Sequence, residues 1–210
     1  MACEMVEMDD VETRTVRVKD DVASSPKETK EKRRGVAGMV YGFKVAGAAA
    51  ERMMSLDEVA AVAEKALDNI RTMGVALSPC IVPQVGEPTF KIGDDEIEIG
   101  MGIHGEKGIE VRKMMTADEV AKTLVDRITQ DMPLTQGDEV SVLVNGLGAT
   151  PMEEQLIVYR CVHELLTEKG VKIIMPHIGE YATSMEMAGL SVTIFKLDEQ
   201  LKELLTAPAK

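Results

Sequence analysis

Polar and apolar positions change period several times along the chain. From Glu12 to Val18 they alternate, with Val11, Thr13 and Thr15 set against Glu12 and Arg14, which predicts a short strand ended by Lys19-Asp20-Asp21. The polar, charged run from Ser24 to Arg34 has no apolar stripe and reads as an exposed loop. Val40, Phe43, Lys44 and Gly47-Ala48-Ala49-Ala50 suit a helix packed closely on a neighbour, since small residues let two backbones approach. Ser55-Leu56-Asp57-Glu58 is a capping box, and Val59, Val62, Ala63, Ala66 and Ile70 follow at helical spacing, so a helix is expected that closes at Gly74. Val75 to Pro83 breaks that period and sets a unit boundary at about residues 75–80.

Beyond it the pattern gives a strand-rich stretch over 89–104, a helix from Thr116 to Met132, a strand from Val140 to Val144 and a helix from Met152 to Lys169. Strands at Val171–Met175 and Val192–Phe195 and a helix at Asp198–Leu205 complete the chain. Thr116 with Glu119 makes a second capping box, and Thr150 with Pro151 fits an N-cap followed by the first helical position. Strands alternating with helices predict an α/β fold of two units, residues 1–77 and 78–210, the second a mixed sheet flanked by helices.

Length and composition narrow the class. The 210 residues are 45% hydrophobic but only 3% aromatic, with 15 Met and no Trp, so the core must be aliphatic. Net charge is 24 − 36 = −12, which argues against nucleic acid or an anionic membrane as a partner. Cys3, Cys80 and Cys161 are odd in number and widely spaced, and Met1 to Glu7 lacks the basic start and apolar run of a targeting peptide, so reduced thiols and a cytoplasmic location are expected. No apolar run is long enough to span a membrane.

The densest candidate chemistry is Gly100-Met101-Gly102-Ile103-His104-Gly105-Glu106-Lys107-Gly108, one imidazole among four glycines after the alternating run Glu96-Ile97-Glu98-Ile99. Glycines there permit positive φ and let a ligand reach the main chain without meeting a Cβ. A strand-ending turn whose histidine only bonds locally fits the same pattern. His163 lies on a predicted helix face with Met152, Leu156, Tyr159 and Leu166 and reads as a packed histidine, while His177, after Pro176, reads as incidental. Asn145-Gly146-Leu147-Gly148-Ala149-Thr150-Pro151 lacks a complete nucleotide-loop pattern and fits a tight strand-to-helix turn. No spacing of histidines and cysteines supports a metal site.

Taken in order, Arg34-Gly35-Val36-Ala37, Gly47-Ala48-Ala49-Ala50-Glu51, the Gly-x-Gly-Ile-His-Gly-Glu of residues 100–106, Val144 to Pro151, and Thr183-Ser184-Met185-Glu186-Met187-Ala188-Gly189 resemble the dihydroxyacetone kinase family, specifically its substrate-binding subunit. The resemblance runs from about Val11 to Leu205, and Lys107 stands where the family commonly has proline. It implies that His104 holds dihydroxyacetone as a covalent hemiaminal, with Gly102, Gly105 and Glu106 supporting the substrate. It also implies a homodimer, and a separate nucleotide-bearing kinase subunit that carries ATP or ADP, so this chain is expected to bind no cofactor itself. The family's Gly-Ser-Gly-His-Glu-Pro loop and Asn-Tyr-Thr-Gly-Asp segment precede the matched part, so the first unit is expected to be incomplete, with helices lacking their partner strands. Three functions stay open: the substrate-binding part of a dihydroxyacetone (glycerone) kinase, a noncatalytic dihydroxyacetone sensor or coactivator, and an inactive fragment.

Overall fold

The computed structural model describes residues 2–208. Its elements in chain order are α1 (Ala2–Glu7), a 3-10 segment (Lys27–Lys32), α2 (Met39–Glu51), α3 (Leu56–Asp68), β1 (Ile70–Ala76), β2 (Glu96–Ile99), β3 (Glu110–Lys113), α4 (Ala117–Asp131), β4 (Glu139–Gly146), α5 (Met152–Glu168), β5 (Lys172–Gly179), β6 (Gly189–Leu197) and α6 (Glu199–Thr206). The expected α/β class with a mixed sheet flanked by helices is what the chain adopts. Both capping boxes form: Ser55 Oγ accepts the Glu58 N–H and Thr116 Oγ1 accepts the Glu119 N–H, while each glutamate accepts the cap's own N–H in return.

One six-stranded sheet, in the order β3-β2-β1-β6-β4-β5, crosses the expected division at 77/78. β1 pairs with β6 through seven residues, Ile70↔Phe195 to Ala76↔Gly189, so it lies inside the sheet. That corrects the helix expected to continue to Gly74: it ends at Asp68, and Ile70 falls on the helical period by coincidence. The strand is buried at every position yet reads Ile-Arg-Thr-Met-Gly-Val-Ala, so Arg71, Thr72 and Gly74 interrupt the apolar run that would mark a buried strand.

Helices α4 and α5 cover one face, where Met73 and Val75, Val140, Val142 and Val144, and Val192 and Ile194 pack with Leu124, Val125, Ile128, Val162 and Leu166. Helices α2, α3 and α6 cover the other, where Tyr41, Val45, Val62, Leu67 and Leu201 pack on Ile70, Leu143 and Phe195. The helices expected to lack partner strands therefore find them in β1, β4 and β6. Of the small residues expected to let α2 approach a neighbour, Ala48 and Ala49 are buried, but Gly47 faces open space and Phe43 is exposed; the close approach to α3 is at Gly42, where an added Cβ would stand 3.2 Å from Leu67 Cδ2.

Other expectations need amendment. Residues 11–20 run without ladder pairing, and only Asp21 forms a bridge, to Thr72. Thr150 does not cap α5; its hydroxyl donates to the Gly189 carbonyl and accepts the Gly189 N–H, both at 2.8 Å, and Pro151 takes the N-cap position. β3, a polar outer strand, had no sequence signal. At the opposite edge lies β5, with Pro176 in its middle.

The run Ser24 to Arg34 is not a solvated loop throughout. Arg33 is buried and grips Asp131 at the end of α4 through two bonds, 3.0 and 2.6 Å, and Arg71 of β1 bonds the same carboxylate. Burial raises the Asp131 carboxyl, but the hydrogen bonds and charges of Arg33 and Arg71 outweigh it and leave it at about 2. A carboxylate depressed in this way adds stability that is complete above the unfolded value near 4 and is lost as pH falls through about 2. Asp131→Asn leaves two guanidinium groups short of a buried counter-charge, so urea unfolding at neutral pH should show a loss of about 3–5 kcal/mol. The variant should also lose less stability than the parent on acidification from pH 4 to 2.

Candidate functional site

His104 sits on residues 100–109, the connection between β2 and β3. The strand before it forms as expected but is short, and the loop is fixed by its own backbone. Gly100 N–H donates to the Gly74 carbonyl at 2.7 Å, Ile109 N–H to Ile99 O at 2.8 Å, and Gly108 N–H to the buried Glu98 carboxylate at 2.7 Å. Inside that frame Gly102 N–H donates to Glu106 O at 3.0 Å and Gly105 N–H to Gly102 O at 3.1 Å, so a tight turn presents Ile103 and His104. Gly105 has φ +80°, and a Cβ there would lie 2.8 Å from Thr89.

The His104 side chain is 79% exposed. Glu106 supports it twice: Oε2 accepts the His104 backbone N–H at 3.0 Å and Oε1 faces ring Nδ1 at 3.4 Å. Partial burial raises the Glu106 carboxyl, but the N–H groups of Glu106 and His104 and the charges of His104 and Arg34 hold it below the ordinary carboxylate value. An acceptor facing Nδ1 favours the tautomer with the proton on Nδ1 and leaves a lone pair on Nε2. All four residues singled out in the sequence, Gly102, His104, Gly105 and Glu106, are thus in one turn.

Two distant segments complete the neighbourhood. Met101 packs with Ala76, Cys80, Leu147 and Met187, with Ile103 and Phe90 against them. Leu147 O accepts the Ser184 N–H at 2.7 Å, Ala149 N–H donates to Met187 O at 3.1 Å, and a Cβ on Gly148 would overlap the Met185 carbonyl oxygen. Asn145 accepts the N–H groups of Tyr181 and Ala182 at 2.9 and 2.8 Å. The glycine-rich turn at 145–151 is therefore structural, as its spacing suggested, and it binds the 183–189 segment. Three stretches far apart in sequence converge beside the C-terminal ends of β1 and β4, where open α/β sheets commonly build sites.

The other histidines lie elsewhere. His163, expected to be packed, is exposed on α5, 6.0 Å from the Tyr159 ring. His177, half-buried in β5, stands edge-on to Tyr41 and Tyr181, and burial lowers its pKa. Cys80 and Cys161 are buried free thiols and Cys3 is partly buried, in keeping with the sequence reading. Sequence reasoning missed Asp21 and Arg34 as site neighbours, although Arg34 opened one of the recognised motifs. Arg34 bonds Asp21 at 2.7 Å and the Gly100 carbonyl at 3.2 Å.

The family model described as the Dak1 domain matches residues 1–210. The chain belongs to the Dak1 domain family. This Dak1 domain is 48% identical over 209 residues to the protein described as the dihydroxyacetone-binding subunit DhaK of PTS-dependent dihydroxyacetone kinase 1 of Listeria innocua, an alignment covering 99% of the chain and 64% of the relative. Among solved structures, the dihydroxyacetone kinase operon co-activator Dha-DhaQ superposes with a TM-score of 0.89 at 30% identity, covering 99% of this chain and 64% of that one. The native dihydroxyacetone kinase of C. freundii gives 0.86 at 29% identity, over 99% of this chain and 37% of that one. The chain thus spans 64% of the length of the first two of these relatives and 37% of the third. No helix among the described residues is long and apolar enough to cross a membrane.

Gly102 has no room for a side chain, since a Cβ would overlap Glu106 Oε2 and lie 2.9 Å from Arg34 Nη1. Gly102→Ala should therefore push Glu106 off the His104 N–H while leaving the sheet intact. In amide NMR spectra, the His104 resonance should shift and those of β4 and β6 should stay in place.

Proposed function

We propose that this chain is the ketose-binding part of a dihydroxyacetone kinase, with His104 as the covalent anchor. The observation that carries the reading is a solvent-facing imidazole whose Nδ1 is turned to a carboxylate at 3.4 Å, in a chain of the Dak1 family. In the proposed step the Nε2 lone pair attacks the C2 carbonyl carbon of dihydroxyacetone. The C–N bond forms as the carbonyl π bond breaks, the oxygen takes a proton from water, and the ring's Nδ1 proton is released to solvent through Glu106, giving a neutral hemiaminal. Bonding at an electrophilic carbon separates ketoses from glycerol by chemistry, because an alcohol has no such carbon.

A hydroxyl of the anchored ketose would then receive the phosphoryl group from a partner subunit that holds ATP or ADP. The resemblance to the Listeria innocua relative, a dihydroxyacetone-binding subunit of a PTS-dependent kinase, supports that division of labour; the homodimer remains part of the proposal. The superposition on a kinase-operon co-activator supports a second reading, in which the same anchor reports ketose to a regulator without phosphorylation.

Carbon-13 NMR of C2-labelled dihydroxyacetone separates the possibilities. The parent chain should give a saturated-carbon adduct signal, His104→Ala should give none, and labelled glycerol should give none with either. An adduct unchanged in His104→Ala would remove this residue from the mechanism. Turnover on mixing with a competent nucleotide-bearing subunit favours the kinase, and an adduct without turnover favours the sensor.

A further inference from the structure

An imidazole that is 79% exposed has no packed walls to fix its rotamer, and freezing a free side chain is entropically unfavourable. Its orientation depends on Glu106, whose own side chain is 43% exposed. The fixed point must therefore lie further back. Asp21 supplies it: its side chain is only 2% exposed, Oδ1 accepts the Ala23 N–H at 3.0 Å, its N–H donates to the Arg34 carbonyl at 3.3 Å, and it bridges to Thr72 of β1.

From Asp21 the Arg34 guanidinium reaches forward with three nitrogens. Nε and Nη2 bond Asp21 Oδ2 at 2.9 and 2.7 Å, Nη2 also donates to the Gly100 carbonyl at 3.2 Å, and Nη1 lies beside Gly102 without pairing with Glu106. The contact between the segments is close on the backbone side too. Gly100 has φ +79°, and a Cβ there would be 2.6 Å from Ala23 Cβ. A planar fork suits this bridging task, and a lysine ammonium, a single point charge on a flexible stem, does not.

The geometry points to Asp21 and Arg34 as positioning residues for His104: the guanidinium, held by Asp21, ties the start of the histidine loop at Gly100 to β1, and the loop so fixed sets Glu106 against the ring and decides which ring nitrogen is left free to react. The inference takes His104 as the reacting residue from the reading above, but its first readout needs no substrate. Neither residue touches the ring, so each acts through the loop that carries His104 and Glu106.

The test uses the 210-residue chain, nitrogen-15 labelled, with ring nitrogens read at pH 8, above the ordinary imidazole range. The parent should carry its proton on Nδ1. Arg34→Lys and Asp21→Asn should each shift His104 towards a mixture of the two tautomers, and amide resonances of β4 and β6 should stay in place. Affinity for dihydroxyacetone should fall by at least about tenfold in each, the scale of a lost hydrogen bond to a charged group. Wild-type ring shifts in both variants, with the sheet intact, would overturn the proposal, and full retention in Arg34→Lys alone would overturn the need for a fork. Should one variant unfold, the other decides in the same spectra. A parent chain that takes up no ketone would sink the proposed function, while the ring shifts would still settle this inference.

Discussion

The site depends on β6 lying antiparallel between β1 and β4. That pairing, seven residues on one side and eight on the other, makes β1 and β4 run the same way although they belong to different parts of the sequence. Their C-terminal ends, Ala76 and Gly146, then meet the first residues of β6 at one rim. The apolar support of the histidine loop grows out of that rim: Cys80 after β1, Leu147 after β4, and Met187 just before β6. Thr150 fastens it by exchanging two hydrogen bonds with Gly189. A register slip of one residue would turn Leu143 and Phe195 out of one core and Val142 and Ile194 out of the other, so apolar alternation and the position of the site are specified together.

Two adjacent arginines join this rim to the far end of the molecule. Arg33 turns into the body of the fold to share Asp131 with Arg71, while Arg34 turns the other way towards Asp21 and Gly100. Buried ion pairs give little net stability when set against apolar replacements, yet removing one partner is costly. Their main effect here is geometric. With both side chains satisfied, the segment between residues 21 and 34 has one seating, and the loop that presses on Gly100 is located by contacts to α4 and β1 at the same time.

Elements that announce themselves locally were legible in the sequence. Helices α3 and α4 carry Ser55/Glu58 and Thr116/Glu119 boxes, and a cap is a local transaction between a side chain and the nearest turn. β1 was not legible, because Arg71, Thr72 and Gly74 break the apolar run expected of a buried strand and the helical period before it ran on through Ile70. β3, Glu110-Val111-Arg112-Lys113, was missed for the opposite reason: it is mostly exposed and exists by pairing with β2. At the site, glycine spacing marked the His104 turn and the Glu106 partner. The run from Ser24 to Arg34 misled because a charged residue is read as surface until its counter-charge is known, and Asp131 lies almost a hundred positions away.

Pro176 has a bearing on what the molecule avoids. β5 ends the sheet on one side, and its neighbours Ile173, Ile174, Met175 and Ile178 are only partly covered, so the strand has the composition of a nucleus for intermolecular cross-β growth. A proline in the middle of that strand has no N–H to offer an incoming chain, and its ring crowds the approach. The same residue is tolerated by the fold because the sheet asks for pairing on one side of β5 alone. The edge of the sheet thus carries its own guard against strand addition, at the opposite end of the strand order from β3.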